Sequence, residues 1–132
     1  MHDVDDYPDA QTIPGLVVYR YDAPLFFANA EDFRRRALAA ADRPPGPLRW
    51  FVLNVEANVE VDFTALEAME ALREDIAGRG ATFALARVKQ DLLARLQAFG
   101  LADKIGTELL FPTLPVALQA YQDGTKDSPA GN

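Results

Sequence analysis

The sequence lacks most of the side chains on which enzymes and structural metal sites depend. Its 132 residues include no cysteine, which excludes disulfides, thiolate nucleophiles and zinc–thiolate sites. The single histidine is His2 and the single serine is Ser128, so each lies close to one end of the chain. A Ser-His-Asp triad cannot be assembled, and acid–base catalysis by histidine is not expected. The sequence therefore predicts a protein that is not an enzyme.

Positive charge and long apolar runs are also scarce. Lysine and arginine number 13 against 20 aspartates and glutamates, so the net charge is −7 and the basic surplus of a nucleic-acid-binding protein is missing. The longest stretch without a charged side chain, 109–122, is interrupted by two prolines, whereas a membrane span needs about 20 apolar residues. Acidic residues follow Met1 closely, so no secretory signal is predicted.

The remaining composition is that of one soluble globular domain. Hydrophobic residues make up 49% of the chain and charged residues 25%. Residues 1–12 carry four aspartates and no lysine or arginine, and they are predicted to be a disordered acidic arm. The domain itself is predicted over 13–123, followed by a disordered tail over 124–132.

Strand and helix patterns alternate along this domain. Runs rich in β-branched and aromatic residues predict five strands, at Leu16–Tyr21, Leu25–Ala28, Trp50–Val55, Thr82–Ala86 and Glu108–Phe111. The first two are close enough to form an antiparallel hairpin. Helical patterns follow the later strands, so the predicted fold is α/β. It has a mainly parallel central sheet with the N-terminal hairpin at one edge and about four flanking helices.

A ligand site is expected where the parallel strands end, because open α/β sheets bind ligands at that edge. After the strand that begins at Trp50, Thr64 stands three residues before Glu67, the spacing of a capping box at a helix start. Free backbone N–H groups at such a helix end attract anions. The candidate nucleotide-binding residues are Asp62, Thr64, Ala65, Leu66 and Arg87. The alternative is that Asp62 and Thr64 only cap the helix and that Arg87 is solvated. Neither a GxxxxGK[ST] loop nor a GxGxxG turn is present.

A second candidate is the acidic loop that contains Glu56, Glu60 and Asp62. Its carboxylates could hold Mg²⁺, but no other residue converges on them, which favours a solvated loop. No metal site is predicted and no cofactor is required. Asn54 ends the preceding strand where a phosphorylated receiver would need an aspartate, and its amide cannot form an acyl phosphate.

Several segments, in order, resemble the STAS domain at the cytoplasmic end of SulP-type anion transporters. They are Pro14–Arg20 followed by Ala23–Ala30, Phe51–Val55 leading to Val61–Leu66, and Phe99–Gly106. The resemblance covers residues 13–122. It implies a STAS-like fold and a non-catalytic regulatory or interaction domain on the cytoplasmic side of the cell membrane.

The resemblance also implies partners and a ligand. The partners are the transmembrane domain of the same sulfate or anion transporter and cytosolic proteins, with no nucleic acid among them. Because some STAS domains bind guanine nucleotides, GTP or GDP is the ligand that the resemblance implies for the helix end at Asp62–Leu66. The acidic arm 1–12 would then be a linker from the last membrane helix.

A second STAS branch, the free-standing anti-sigma factor antagonists, gives the alternative function. Those proteins switch partners when a serine directly after the loop aspartate is phosphorylated. Phe63 occupies that position here, Ala65 stands where the branch has glycine, and Asn54 stands where it has aspartate. Thr64 is the nearest residue that a kinase could modify.

Overall fold

The computed structural model describes residues 13–23, 25, 28–57 and 61–126. Strands and helices alternate through them. In chain order they are β1 (Leu16–Arg20), α1 (Ala30–Asp42), β2 (Trp50–Asn54), α2 (Phe63–Gly78), β3 (Thr82–Ala86), α3 (Gln90–Phe99), α4 (Leu101–Ile105), a 3₁₀ turn (Thr107–Leu109), β4 (Leu110–Phe111) and α5 (Leu114–Lys126). The predicted α/β class is confirmed.

The four strands form one sheet in the order β1-β2-β3-β4, and every neighbouring pair is parallel. Each connection between neighbouring strands carries at least one helix, as a parallel pairing requires. The register sets Arg20 beside Asn54, and Asn54 beside Ala86. All four strands therefore end at one rim of the sheet, which we call the carboxyl edge.

The two faces of the sheet bury different side chains. Phe51 and Leu53 of β2 are fully buried among residues of α1, α2, α3 and α4, whereas Val52 is fully buried beside Leu114 and Ala117 of α5. Neighbouring residues of a strand point to opposite faces. β2 is therefore apolar on both faces because helices cover both, which is what its nearly continuous hydrophobic run predicts.

Helix ends follow the predicted signals, with one correction. Gly80 and Gly100, at the ends of α2 and α3, both have positive φ, the conformation for which glycine is preferred after a helix. The first helical residue of α2 is Phe63 and its N-cap is Asp62, which confirms Asp62 as a predicted capping residue. The prediction that Thr64 also caps this helix is wrong. Asp62 has extended backbone angles and a side-chain acceptor, which are the two properties of an N-cap.

The predicted antiparallel hairpin falls partly outside the described residues, which contain only part of its second arm, Leu25–Ala28. Leu25, the first residue of that arm, makes a parallel bridge to Val61 and is 1% exposed. All strand pairs among the described residues are parallel. Pro24, Phe26 and Phe27 lie outside the described residues.

The predicted domain boundary differs from the structure at its C-terminal end. Helix α5 continues to Lys126, three residues beyond the predicted end at residue 123. The predicted acidic arm 1–12 and the rest of the predicted tail, residues 127–132, lie outside the described residues. Among the helices that the structure describes, none is both long and apolar enough to cross a membrane.

Candidate functional site

The helix start at Asp62 is the first part of the predicted site at the carboxyl edge. The Asp62 carboxylate accepts a hydrogen bond from the Ala65 N–H at 2.9 Å, and the Asp62 carbonyl accepts one from the Leu66 N–H at 3.0 Å. Two of the backbone N–H groups that were expected to face an anion are therefore used within the cap. Ala65 and Leu66 are both buried, and Thr64 is exposed.

An aromatic pair lies beside this cap. The Phe63 side chain is 63% exposed and packs edge-on against Phe99, with 5.4 Å between ring centroids. The guanidinium of Arg95 donates to the Val61 carbonyl at 3.1 Å, which links α3 to the residue before the cap. The cap is therefore attached to α3 as well as to the sheet.

Arg87, the remaining predicted residue, belongs to a different group of side chains. Its Nη2 lies 3.0 Å from Glu56 Oε2, and Arg20 Nη1 lies 3.3 Å from Glu56 Oε1. We call Arg20, Asn54, Glu56 and Arg87 the edge cluster. The described contacts join Arg87 to this cluster and not to Asp62 or Thr64. The five predicted residues thus share the carboxyl edge but fall into two groups.

Backbone geometry fixes the position of Arg87. It has φ +64°, and it is the only non-glycine among the described residues with a positive φ. Its N–H donates to the Phe111 carbonyl at 2.9 Å, so the chain turns directly after β3 while remaining bound to β4. Such a conformation costs a residue with a side chain about 1 kcal/mol or more.

Asn54 is the buried polar residue of the edge cluster and is 0% exposed. Its Oδ1 accepts a hydrogen bond from the Glu56 N–H at 3.0 Å. The sequence identifies Asn54 only as an amide that stands where receivers and anti-sigma factor antagonists have an aspartate. Arg20 was not predicted as a site residue. The sequence feature that points to it is the charged residue at the end of β1. Its partnership with Glu56 depends on the pairing of β1 with β2.

The acidic loop contains no metal site among the residues that the structure describes. Glu56 forms ion pairs with two arginines, Asp62 caps α2, and Glu60 lies outside the described residues. The two described carboxylates, those of Glu56 and Asp62, therefore make structural contacts. This arrangement differs from a set of oxygens converging on one cation.

A tyrosine–aspartate pair stands where β1 leads toward α1. The Tyr21 hydroxyl donates to Asp32 Oδ2 at 2.8 Å, and Arg35 and Arg36 also donate to this carboxylate. The hydrogen bond from Tyr21, followed by that from Arg36, holds the pKa of Asp32 below its ordinary value. Burial, followed by the hydrogen bond to Asp32, raises the pKa of Tyr21. Both groups therefore keep their neutral-pH charge states.

Comparison with known proteins gives a family match over most of the chain. The family model described as "STAS domain" matches residues 7–117. The probable sulfate transporter Rv1739c of Mycobacterium tuberculosis is 63% identical over 122 residues, which cover 92% of this chain and 22% of that protein. The solution structure of the STAS domain of Rv1739c is 53% identical, has a TM-score of 0.55 and covers 92% of this chain and 98% of that one.

More distant structures share the fold. The murine anion transporter Slc26a9 in its inward-facing state has a TM-score of 0.79 at 22% identity, covering 92% of this chain and 20% of that one. A putative anti-sigma factor antagonist from Thermotoga maritima has a TM-score of 0.69 at 17% identity, covering 83% and 90%. The chain thus spans about a fifth of the length of its transporter relatives, 22% in the case of Rv1739c.

Proposed function

The chain belongs to the STAS domain family, and from this premise we propose that it is the non-catalytic regulatory domain of a SulP-type sulfate or anion transporter, on the cytoplasmic side of the membrane. The observation that carries the proposal is the 63% identity to part of a probable sulfate transporter. The partner is the transmembrane unit of the same protein. Regulation consists of contacts that this domain makes or releases.

The arrangement of the carboxyl edge supports a role without catalysis. Glu56 is used in ion pairs with two arginines, and Asp62 is used in a helix cap. A general acid or base must reach a substrate proton and have a pKa suited to the reaction. Because Glu56 and Asp62 hold the fold together at this edge, we infer that the edge binds other molecules and does not transform them.

The gene offers the first test of the proposal. The reading frame upstream of the codon for Asp3 is expected to encode a series of apolar helices of about 20 residues each. A frame that begins at Met1 and has no membrane-coding sequence before it would contradict the transporter assignment.

Transport by the full-length protein is the second test. Uptake of radiolabelled sulfate into vesicles is compared for the intact transporter and for a variant lacking residues 13–126, with equal amounts of each in the membrane. A changed uptake rate in the deletion variant is expected. Identical rates for the two proteins would count against a regulatory role.

We also propose weak guanine nucleotide binding, as GTP or GDP, by the helix end formed by Asp62, Thr64, Ala65 and Leu66, together with Arg87 of the same sheet edge. The support is the positive pole of a 16-residue helix beside an exposed Thr64. Because two N–H groups of this turn are used within the cap, we expect a dissociation constant of order 0.1–1 mM. In an amide NMR titration with GDP, residues 62–66 should shift first. Shifts confined to other regions would place the nucleotide elsewhere.

The free-standing antagonist is kept as the competing prediction, because Thr64 is exposed in the first turn of α2. A phosphate there would add negative charge at a helix N-terminus, where it is stabilised. Incubation with a cognate kinase and mass spectrometry tests this function. No modification at Thr64 would eliminate it.

A further inference from the structure

Two buried hydrogen-bond donors in the edge cluster have no partner among the described residues. They are Asn54 Nδ2 and Arg87 Nε. A buried donor left without an acceptor costs about 1–3 kcal/mol, more when the group is charged. Asn54 is fully buried, so bulk water does not satisfy its amide. Two such donors in one contact network indicate that an acceptor belongs beside them.

Glu56 contacts both Asn54 and Arg87 but does not contact the two unpartnered donor atoms, Asn54 Nδ2 and Arg87 Nε. Its two carboxylate oxygens form ion pairs with terminal guanidinium nitrogens, Oε1 with Nη1 of Arg20 at 3.3 Å and Oε2 with Nη2 of Arg87 at 3.0 Å. Its backbone N–H occupies the Oδ1 atom of Asn54 at 3.0 Å. Each of these contacts orients a side chain without using Asn54 Nδ2 or Arg87 Nε. Glu56 therefore positions the cluster and does not complete its hydrogen bonding.

The cluster lies on the face of the sheet that α5 covers. Val52 of β2 packs with α5, and alternation along the strand puts Asn54 on the same face. The Arg87 N–H is bound to the Phe111 carbonyl, and Thr113, two residues further on, caps α5 by accepting from the Val116 N–H at 3.2 Å. The N-terminus of this 13-residue helix, which carries partial positive charge, thus begins beside the cluster. The α2 cap serves a helix of the opposite face.

We propose that the edge cluster is a binding site for a small tetrahedral oxyanion, sulfate or phosphate, whose oxygens accept from Asn54 Nδ2 and Arg87 Nε. The chemistry fits because guanidinium and amide groups together offer planar donors that suit anionic oxygens. The nearby α5 N-terminus adds positive potential. The carboxylate of Glu56 opposes an anion, so affinity is expected in the millimolar range. Arg87 is also one of the proposed nucleotide-binding residues, but Asn54 is not, and the oxyanion proposal does not require that a nucleotide binds at the α2 cap.

NMR titration of the ¹⁵N-labelled chain tests the proposal. Sodium sulfate and sodium phosphate are added in separate experiments, each against sodium chloride at equal ionic strength. The side-chain signals of Asn54 Nδ2 and Arg87 Nε should move and saturate with sulfate or phosphate and stay in place with chloride. The anion that saturates at lower concentration identifies the preferred ligand.

Three variants sharpen the test. Arg87→Gln should weaken oxyanion binding roughly tenfold, since it removes a charged donor. Glu56→Gln should strengthen binding, because it removes the opposing charge and keeps an acceptor for the arginines. A gain of affinity cannot come from general loss of structure. Arg35→Gln is the matched control, because Arg35 lies on α1 and pairs with Asp32, and it should leave binding unchanged.

Three outcomes would overturn the proposal. One is equal signal movement with chloride and with the oxyanions, which would indicate ionic-strength effects alone. Another is unchanged affinity in both Arg87→Gln and Glu56→Gln. The third is an NMR contact between water and both donor groups, with no movement of their signals when sulfate or phosphate is added. That result would mean that a structural water alone occupies the site.

Discussion

At the scale of single residues, short polar side chains determine where elements begin and how the carboxyl edge is built. Asp62 starts α2 because its carboxylate replaces a hydrogen bond that the first turn of a helix lacks. At the end of β2, the Asn54 side chain similarly accepts a hydrogen bond from a backbone group, the Glu56 N–H. Each side chain holds the backbone of a residue two or three positions further on.

Removing the carboxylate of Asp62 should lower the stability of the fold. Asp62→Ala is expected to reduce the free energy of unfolding by about 1 kcal/mol, because the Ala65 N–H loses its acceptor. Asp62→Asn, which keeps an acceptor oxygen, should cost only a few tenths of that amount. Urea unfolding followed by circular dichroism measures both. Equal losses in the two variants would show that charge, not capping, is what Asp62 contributes.

Burial of Tyr21 and its hydrogen bond to Asp32 should make stability depend on pH at both extremes. Because the pKa of Asp32 is lowered from 3.8 in the folded state, its contribution is present above that value and is lost as pH falls through the folded pKa. Because the pKa of Tyr21 is raised from 10.0, its contribution is present below that value and is lost as pH rises through the folded pKa.

Tyr21→Phe tests the acid side of this dependence. The variant should raise the pKa of Asp32 toward 3.8, since the largest cause of the lowered value is removed. Carboxyl NMR titration measures it. Tyr121→Phe, a change of the same kind at the other end of the sheet, should leave the pKa of Asp32 unmoved. A shift in both variants would mean that the effect is not local.

At the scale of elements, α5 is bound to the chain that enters β1. The Tyr121 hydroxyl donates to the Pro14 carbonyl, and the Gly15 carbonyl accepts from the N–H groups of Arg49 at 2.8 Å and Trp50 at 2.9 Å. One short segment therefore connects α5, β1 and the start of β2. Its position requires glycine, because Gly15 has φ +81° and an added Cβ would lie 2.7 Å from the Tyr121 hydroxyl oxygen.

Substitution of Gly15 should therefore disturb three elements together. Gly15→Ala is expected to lower the free energy of unfolding by about 2 kcal/mol or more, from left-handed backbone strain and close contacts. Gly46→Ala is the control, since an added Cβ there meets nothing within 4 Å and the backbone φ is not in the left-handed range. Differential scanning calorimetry compares the two. A Gly15→Ala variant as stable as Gly46→Ala would contradict this explanation.

At the scale of the whole molecule, one sheet with helices on both faces makes a single cooperative unit. The larger core joins β1, β2 and β3 to α1, α2, α3 and α4, and the smaller one joins the sheet to α5. Because β2 contributes buried residues to both cores, loss of either core exposes the same strand. Unfolding should therefore be two-state, with coincident transitions by circular dichroism and by Trp50 fluorescence.

Two substitutions on α2 compare the core with the surface. Leu72→Ala, at a position that is 0% exposed, should cost about 2–5 kcal/mol, because it leaves a cavity between helix and sheet. Phe63→Ala, at a position that is 63% exposed, should cost less than about 1 kcal/mol, chiefly through the lost contact with Phe99. Urea midpoints measure the difference, and similar losses would contradict the assignment of Leu72 to the core.

Sequence alone was sufficient for the architecture and for part of the site. The apolar runs at Trp50 and Thr82, separated by a helical pattern, favour a parallel pair, since a helix returns the chain to the edge of the sheet at which the first strand began. The helix start near Asp62 could be predicted as well, because capping depends on residues three positions apart. Of the two predicted capping residues, Asp62 is confirmed as the N-cap, and Thr64 lies one position inside the helix. Local patterns determine local structure.

The tertiary structure alone decided which charged and polar groups meet. Arg20 and Glu56 are 36 residues apart, and they pair because β1 lies beside β2 in a register that sets Arg20 next to Asn54. The same packing put Leu25 beside Val61, and it joined Arg87 to Glu56 rather than to the α2 cap. For each charged side chain, a sequence contains many oppositely charged residues with which it could pair. Strand register and burial select among them, and neither is a property of a short stretch of chain.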